Sequence, residues 1–128
     1  MAADPPRPTD AELEILTVLW STGPATVREI HSVISRRRTA QYSTILKFMQ
    51  IMAEKGLVRR DEKDRAHIYK AARPREWTQR QLAGDLLERG FAGSAKALLV
   101  GALSARKATK EELAELRKLL NEYRKGDK

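Results

Sequence analysis

Apolar residues recur at helical spacing through the first 55 residues of the chain, and this pattern predicts three helices. The first spans about residues 10–20 and ends at Gly23-Pro24, the second spans 27–35, and the third spans 41–55. Each has one apolar face that we expect to form a shared core. The inward positions are Leu13, Leu16, Leu19 and Trp20 in the first helix, Val27, Ile30, Val33 and Ile34 in the second, and Ile45, Phe48, Met49 and Met52 in the third.

The apolar pattern changes from helical to strand spacing after Gly56, which we expect to cap the third helix in the left-handed conformation. Residues 57–60 and 66–70 predict two short strands on either side of a charged turn. Three helices followed by a β-hairpin make a winged helix-turn-helix. The predicted fold is therefore mainly α with a small β-hairpin.

Helix starts are marked by a Ser or Thr that is followed three residues later by Glu or Gln. This is the capping-box pattern, in which each side chain bonds the other residue's backbone N–H. We expect it at Thr9/Glu12, Thr26/Glu29, Thr78/Gln81 and Thr109/Glu112.

The tail (residues 76–128) predicts three more helices, near residues 78–89, 94–103 and 109–123. It is too short to bury its leucines in a core of its own, so we expect a second copy of the chain to pack against them. Folding back onto its own N-terminal domain is the alternative. The chain thus divides into a flexible arm (1–8), a winged-helix DNA-binding domain (9–75) and a helical dimerisation region (76–128). The expected dimer contacts are Leu98, Leu99, Leu103, Leu113, Leu116 and Leu120.

The net charge of +8 is concentrated in the middle of the chain. Residues 1–27 carry −3, residues 28–75 carry +8, and residues 76–128 carry +3. A localised positive field is what binding to nucleic-acid phosphates requires, although a solvated basic surface has the same composition.

The third helix combines a buried stripe with a polar face, as a helix in the major groove of DNA requires. Gln41, Ser43, Thr44 and Lys47 lie in its N-terminal half, which usually meets the bases. We therefore predict that these residues contact base edges. The expected phosphate or wing contacts are the surrounding cations, namely Arg36, Arg37, Arg38, Arg59, Arg60, Lys63 and Arg65.

Other classes of protein are disfavoured by the composition. The chain has no cysteine, and His31 and His67 lie far apart, so we expect no metal site and no cofactor. No serine or threonine has a catalytic partner at a recognisable spacing, so we expect no enzymatic activity. No apolar run is long enough to span a membrane and the start does not resemble a signal peptide, which predicts a cytoplasmic protein.

Several segments resemble the penicillinase-repressor family of the BlaI/MecI type. They are Thr9-Asp-Ala-Glu-Leu-Glu-Ile-Leu-Thr-Val-Leu-Trp20, Gly23-Pro-Ala-Thr-Val-Arg-Glu-Ile30, Gln41-Tyr-Ser-Thr-Ile45, Lys55-Gly-Leu-Val58, Arg65-Ala-His-Ile-Tyr69 and Glu111-Glu-Leu-Ala-Glu-Leu-Arg-Lys-Leu-Leu120. The resemblance covers nearly the whole chain after residue 8, and the order and spacing of the segments carry it.

The resemblance implies a homodimeric repressor of antibiotic-resistance or related stress genes. Two copies with one half-site each would bind a palindromic operator. It implies base contacts at Ser43, Thr44 and Leu46. It also implies release by proteolysis of the tail through a membrane-bound sensor protease, at a bond matching Gly101-Ala102. The Asn-Phe pair of the best-known members is absent there.

Two alternatives to an operator-specific repressor remain. One is a winged-helix module that binds protein partners, and the other is an architectural DNA binder without sequence preference. Binding to random and to specific duplexes separates the three.

Overall fold

The computed structural model describes residues 6–62 and 65–126, which form a mainly helical fold with one small sheet. The chain divides into an N-terminal unit ending at Ala83 and a C-terminal unit starting at Gly84. The predicted fold class is confirmed. In chain order, the elements are α1 (Asp10–Thr22), β1 (Ala25–Thr26), α2 (Val27–Ser35), α3 (Tyr42–Lys55), β2 (Val58–Asp61), β3 (Ile68–Ala71), α4 (Arg75–Phe91), α5 (Ala95–Ala105) and α6 (Lys110–Gly126).

Two of the four predicted capping boxes are complete. Thr9 and Thr26 each accept a backbone N–H from the Glu three residues on, and each Glu accepts the backbone N–H of its Thr. Thr109 accepts the backbone N–H of Glu112 at 3.0 Å, as predicted for the start of α6.

The predicted helix start at Thr78 is wrong. Thr78 is buried inside α4, which begins at Arg75. Pro74 precedes that first residue, and its carbonyl accepts the backbone N–H of Trp77 at 3.1 Å. The fixed φ of proline suits a helix start, so α4 begins directly after Pro74, before the Thr-x-x-Gln pattern is reached.

The predicted hairpin is present, with each strand displaced by one or two residues, and β3 is the central strand of a three-stranded sheet. β2 pairs with β3 in antiparallel register, with Arg60 opposite Tyr69. The two-residue strand β1 pairs with the other edge of β3 and was not predicted. Because β1 leads directly into α2, the sheet connects the hairpin to the second helix.

The core lies between α1, α2, α3 and the sheet. Leu13, Trp20, Val33 and Phe48, predicted to face inward, are only half-buried. α1 instead buries Ile15 and Val18, because it packs against both α2 and β3. The fully buried apolar side chains are Ile15, Leu16, Val18, Leu19, Ala25, Val27, Ile30, Ile34, Ile45, Met49, Met52, Leu57, Val58 and Tyr69.

A buried ion pair joins the start of α1 to the end of α3. Glu12 is only 2% exposed, and its carboxylate accepts Lys55 Nζ at 2.8 Å and the backbone N–H of Thr9 at 2.9 Å. Burial alone raises the pKa of Glu12, but the hydrogen bonds and charge of Lys55 and Thr9 outweigh it, so the pKa falls below its ordinary value. The pair therefore fixes α3 against α1.

The C-terminal unit lacks fully buried side chains among its described residues. Leu98, Leu99 and Leu116 are half-buried. The exposed large apolar side chains of this unit are Leu86, Val100, Leu103, Leu113, Leu119, Leu120 and Tyr123.

Candidate nucleic-acid interface

α3 has one face in the core and one in solvent. Ile45, Met49 and Met52 are each at most 1% exposed, which fixes the rotation of the helix. The opposite side is the reading face, which we define as Gln41, Ser43, Thr44, Lys47 and Gln50. All five residues are exposed.

Leu46, which the resemblance placed among the base contacts, lies at the edge of the reading face. It is half-buried and packs against the core. Its role in base contact stays a prediction.

Three arginines follow α2 and lie in the α2–α3 turn (residues 36–41), and all three are exposed. Arg38 is committed to an ion pair: its Nη2 donates to Glu14 Oε1 at 2.7 Å and its Nε to the same oxygen at 3.2 Å. These bonds raise the pKa of Arg38. Arg36 and Arg37 form no ion pair with any residue that the structure describes, so they are the available cations of this turn.

His31 holds the other side of this turn. Its Nε2 donates to the carbonyl oxygen of Ala40 at 2.7 Å and lies 3.2 Å from Ser35 Oγ. The imidazole also meets the ring of Tyr42 edge-on at 5.8 Å. The sequence predicted neither contact, since neither is visible in a spacing pattern.

The wing (β2, β3 and the residues between them) presents cations on its outer surface. Arg59 and Lys70 are exposed cross-strand partners, which places two like charges side by side. Such a pair is unfavourable alone and is relieved by an anion. Arg60 is partly engaged, because its Nη2 donates to Glu62 Oε2 at 3.1 Å. Hydrogen bonding to Tyr69 and the charge of Glu62 raise the pKa of Arg60. Arg65 is exposed, and Lys63 lies outside the described residues.

A cleft of about 360 Å³ separates the start of α2 and of α3 from the wing. Arg28, Tyr42, Arg65 and His67 line it, together with Leu46. Arg28, Tyr42 and His67 were not among the predicted contacts. They could not be predicted from the sequence, because they are 14 and 25 residues apart in sequence order and come together only in the fold.

The predicted cleavage bond Gly101–Ala102 lies inside α5. A Cβ on Gly101 would lie 3.4 Å from the ring of Phe91, which is ordinary van der Waals contact. A protease requires an extended strand, so α5 must unwind locally before this bond can be cut.

The part of the chain that the structure describes contains no group of three His, Asp or Glu side chains arranged to hold a metal ion. None of its helices is long and apolar enough to cross a membrane.

Comparison with known proteins places the whole architecture in one family. A family model described as penicillinase repressor matches residues 8–122. The transcriptional regulator BlaI of Mycobacterium tuberculosis is 34% identical over 119 residues, covering 91% of this chain and 85% of that protein. The penicillinase repressor of Bacillus licheniformis is 23% identical over 123 residues, covering 96% of each chain.

Structural comparison agrees with this result at the level of the fold. The solution structure of the DNA-binding domain of the repressor BlaI superimposes with a TM-score of 0.51 at 23% identity, covering 58% of this chain and 90% of that domain. The family match runs from before α1 into α6, so it includes both units. The chain belongs to the penicillinase repressor family.

Proposed function

We propose that the chain is a transcriptional repressor that binds duplex DNA, with the reading face of α3 in the major groove. The observation that carries this proposal is the exposed polar face of a helix whose opposite side is fixed in the core. Ser43, Thr44 and Lys47 border one shallow depression there and supply hydroxyl and ammonium groups for base edges. The family is one of repressors rather than enzymes, which favours the same function.

The cations around α3 provide the phosphate contacts of the proposal. Arg36 and Arg37 lie in the α2–α3 turn, and Arg59 with Lys70 forms the paired patch on the wing. The cleft lined by Arg28 and Arg65 adds two guanidinium groups beside α3. Phosphate contacts position the protein, whereas the reading face selects the sequence.

The tail completes the proposal as a homodimerisation region. A second copy of the chain would bury the exposed leucines of α5 and α6. The dimer would then present two reading faces to a palindromic operator whose half-sites are about one helical turn (~34 Å) apart. We further propose a cytoplasmic regulator of antibiotic-resistance or stress genes that is released when a membrane sensor protease triggers cutting at Gly101–Ala102. This release would require the unwinding of α5.

The decisive experiment selects duplexes from a random pool with the full-length chain and then measures affinity for the selected and a scrambled duplex. Thr44→Ala and Lys47→Ala should each weaken binding to the selected duplex by about 1–3 kcal/mol, the value of a good base contact. Their affinity for the scrambled duplex should change much less. Lys107→Ala, which removes an exposed cation outside the helices, is the charge-matched control.

Two outcomes favour the alternative functions. Equal losses on both duplexes, or selection that enriches no sequence, would point to an architectural DNA binder. No binding to any duplex at low salt would point to a protein-interaction module, because free arginines beside a groove-sized helix attract phosphates.

A further inference from the structure

The α2–α3 turn is anchored by side-chain hydrogen bonds to α1 and α2. Glu14 of α1 accepts hydrogen bonds from the guanidinium of Arg38, and His31 of α2 donates one to the carbonyl oxygen of Ala40. Arg38 Nη1 also lies 3.4 Å from the carbonyl oxygen of Thr39. The residues that lead into α3 are therefore anchored from both sides.

The start of α3 has no cap of its own to perform this task. Thr26 caps α2 through its side chain, but Gln41 makes no side-chain hydrogen bond at the start of α3. The direction in which the chain enters α3 therefore depends on the bonds made by the turn. These bonds orient the first turn of the reading face.

We propose that Glu14, acting through Arg38, and His31, acting through Ala40, are positioning residues for sequence reading. This inference rests on the proposed DNA-binding function and changes one predicted role. Arg38 was predicted as a phosphate ligand, and in this proposal it is a positioning residue that joins the turn to α1.

The charge of Glu14 separates this proposal from simple electrostatics. A carboxylate near DNA repels phosphates, so neutralising it should strengthen binding if it has no other role. If Glu14 positions the turn, the same change must weaken sequence-specific binding even though the net charge rises by one. The two accounts predict opposite signs.

The salt dependence separates the two roles of Arg38. Each phosphate contact contributes about 0.9 to the slope of log affinity against log salt concentration. A phosphate ligand lowers that slope when it is removed and weakens all DNA binding. Removing a positioning residue leaves the slope unchanged and weakens binding to the selected duplex alone.

The test uses the full-length chain, the duplex selected by the wild type, and a scrambled duplex of the same composition. We expect Glu14→Gln and Arg38→Gln to lower affinity for the selected duplex by about five- to tenfold, at the lower end of the range for a single base contact. The slope and the scrambled-duplex affinity should stay near wild type. The double variant should be no worse than either single variant, because both remove one contact.

Two matched variants report the plain charge effects. Glu54 is exposed and forms no ion pair with a described residue, so Glu54→Gln should slightly strengthen binding to both duplexes. Arg37→Gln should lower the salt slope by about 0.9. The circular dichroism of every variant should match that of the wild type.

The inference is overturned if Glu14→Gln behaves like Glu54→Gln, or if Arg38→Gln behaves like Arg37→Gln. His31 has its own check: His31→Leu should lose selectivity, while His31→Gln, whose amide N–H can still donate to Ala40, should restore part of it. A wild-type chain that selects no sequence refutes the proposed function itself, which is a different result from these.

Discussion

The two units of the molecule differ in how much apolar surface a single chain covers. Every fully buried apolar side chain that is described lies in the N-terminal unit, whereas α5 and α6 leave leucines such as Leu113 and Leu120 about half exposed. The N-terminal unit therefore contains its own stabilising core. The helices of the C-terminal unit are well marked in the sequence, but their apolar faces are exposed. The stability of this unit therefore depends on what packs against those faces.

The largest expected effect tests whether the core stabilises the N-terminal unit. Ile30 is completely buried, and its helix α2 packs against α1, α3 and β1, so Ile30→Ala should lower the free energy of unfolding by about 2–5 kcal/mol. Urea unfolding followed by circular dichroism measures the loss. A loss below about 1 kcal/mol would mean that the core around α2 collapses freely around the smaller side chain.

An intermediate effect tests the ion pair that joins α1 to α3. The folded state lowers the pKa of Glu12 below its ordinary value of 4.5, so the carboxylate stabilises the fold above that pH and this contribution is lost as the pH falls through the folded pKa. Glu12→Gln should lower stability by about 1–3 kcal/mol at neutral pH, in line with hydrogen bonds to charged groups.

Measuring unfolding from pH 7 down to pH 3 checks the sign of this effect. The difference between wild type and Glu12→Gln should shrink as the pH falls. A difference that stays constant over this range would show that packing, rather than charge, accounts for the contribution of Glu12.

The smallest expected effect on unfolding belongs to the C-terminal unit. Leu120→Ala removes an exposed side chain, so the free energy of unfolding of the N-terminal unit should fall by less than about 0.5 kcal/mol. Association should respond instead: if a second copy covers this leucine, analytical ultracentrifugation will show about a tenfold or greater weakening of the dimer. A wild-type chain that is monomeric at micromolar concentration would contradict the proposed assembly.

Local signals explain what could be predicted from the sequence. The boxes at Thr9 and Thr26 were predicted because both partners lie within one helical turn, and the stripe of α3 shows directly in the spacing of Ile45, Met49 and Met52. The reading face follows from that stripe, since the residues on the side of α3 opposite the stripe are polar and exposed.

Long-range pairing explains what could not be predicted. β1 has two residues and exists only through its bonds to β3, and Glu14 meets Arg38 across 24 positions. Neither leaves a periodic trace in the sequence. The cleft shared by Arg28 and Arg65 likewise depends on how the wing packs beside α2.

Gly56 gives the molecule a fixed angle between its two proposed DNA contacts. Its left-handed backbone (φ 81°) ends α3, and the next two residues, Leu57 and Val58, are buried at once. Two residues, Gly56 and Leu57, therefore separate α3 from the wing. Under the proposed function, a duplex whose groove spacing does not match this angle would have to bend or twist to reach both surfaces. The stiffness of base pairs that the protein does not touch would then contribute to its sequence preference.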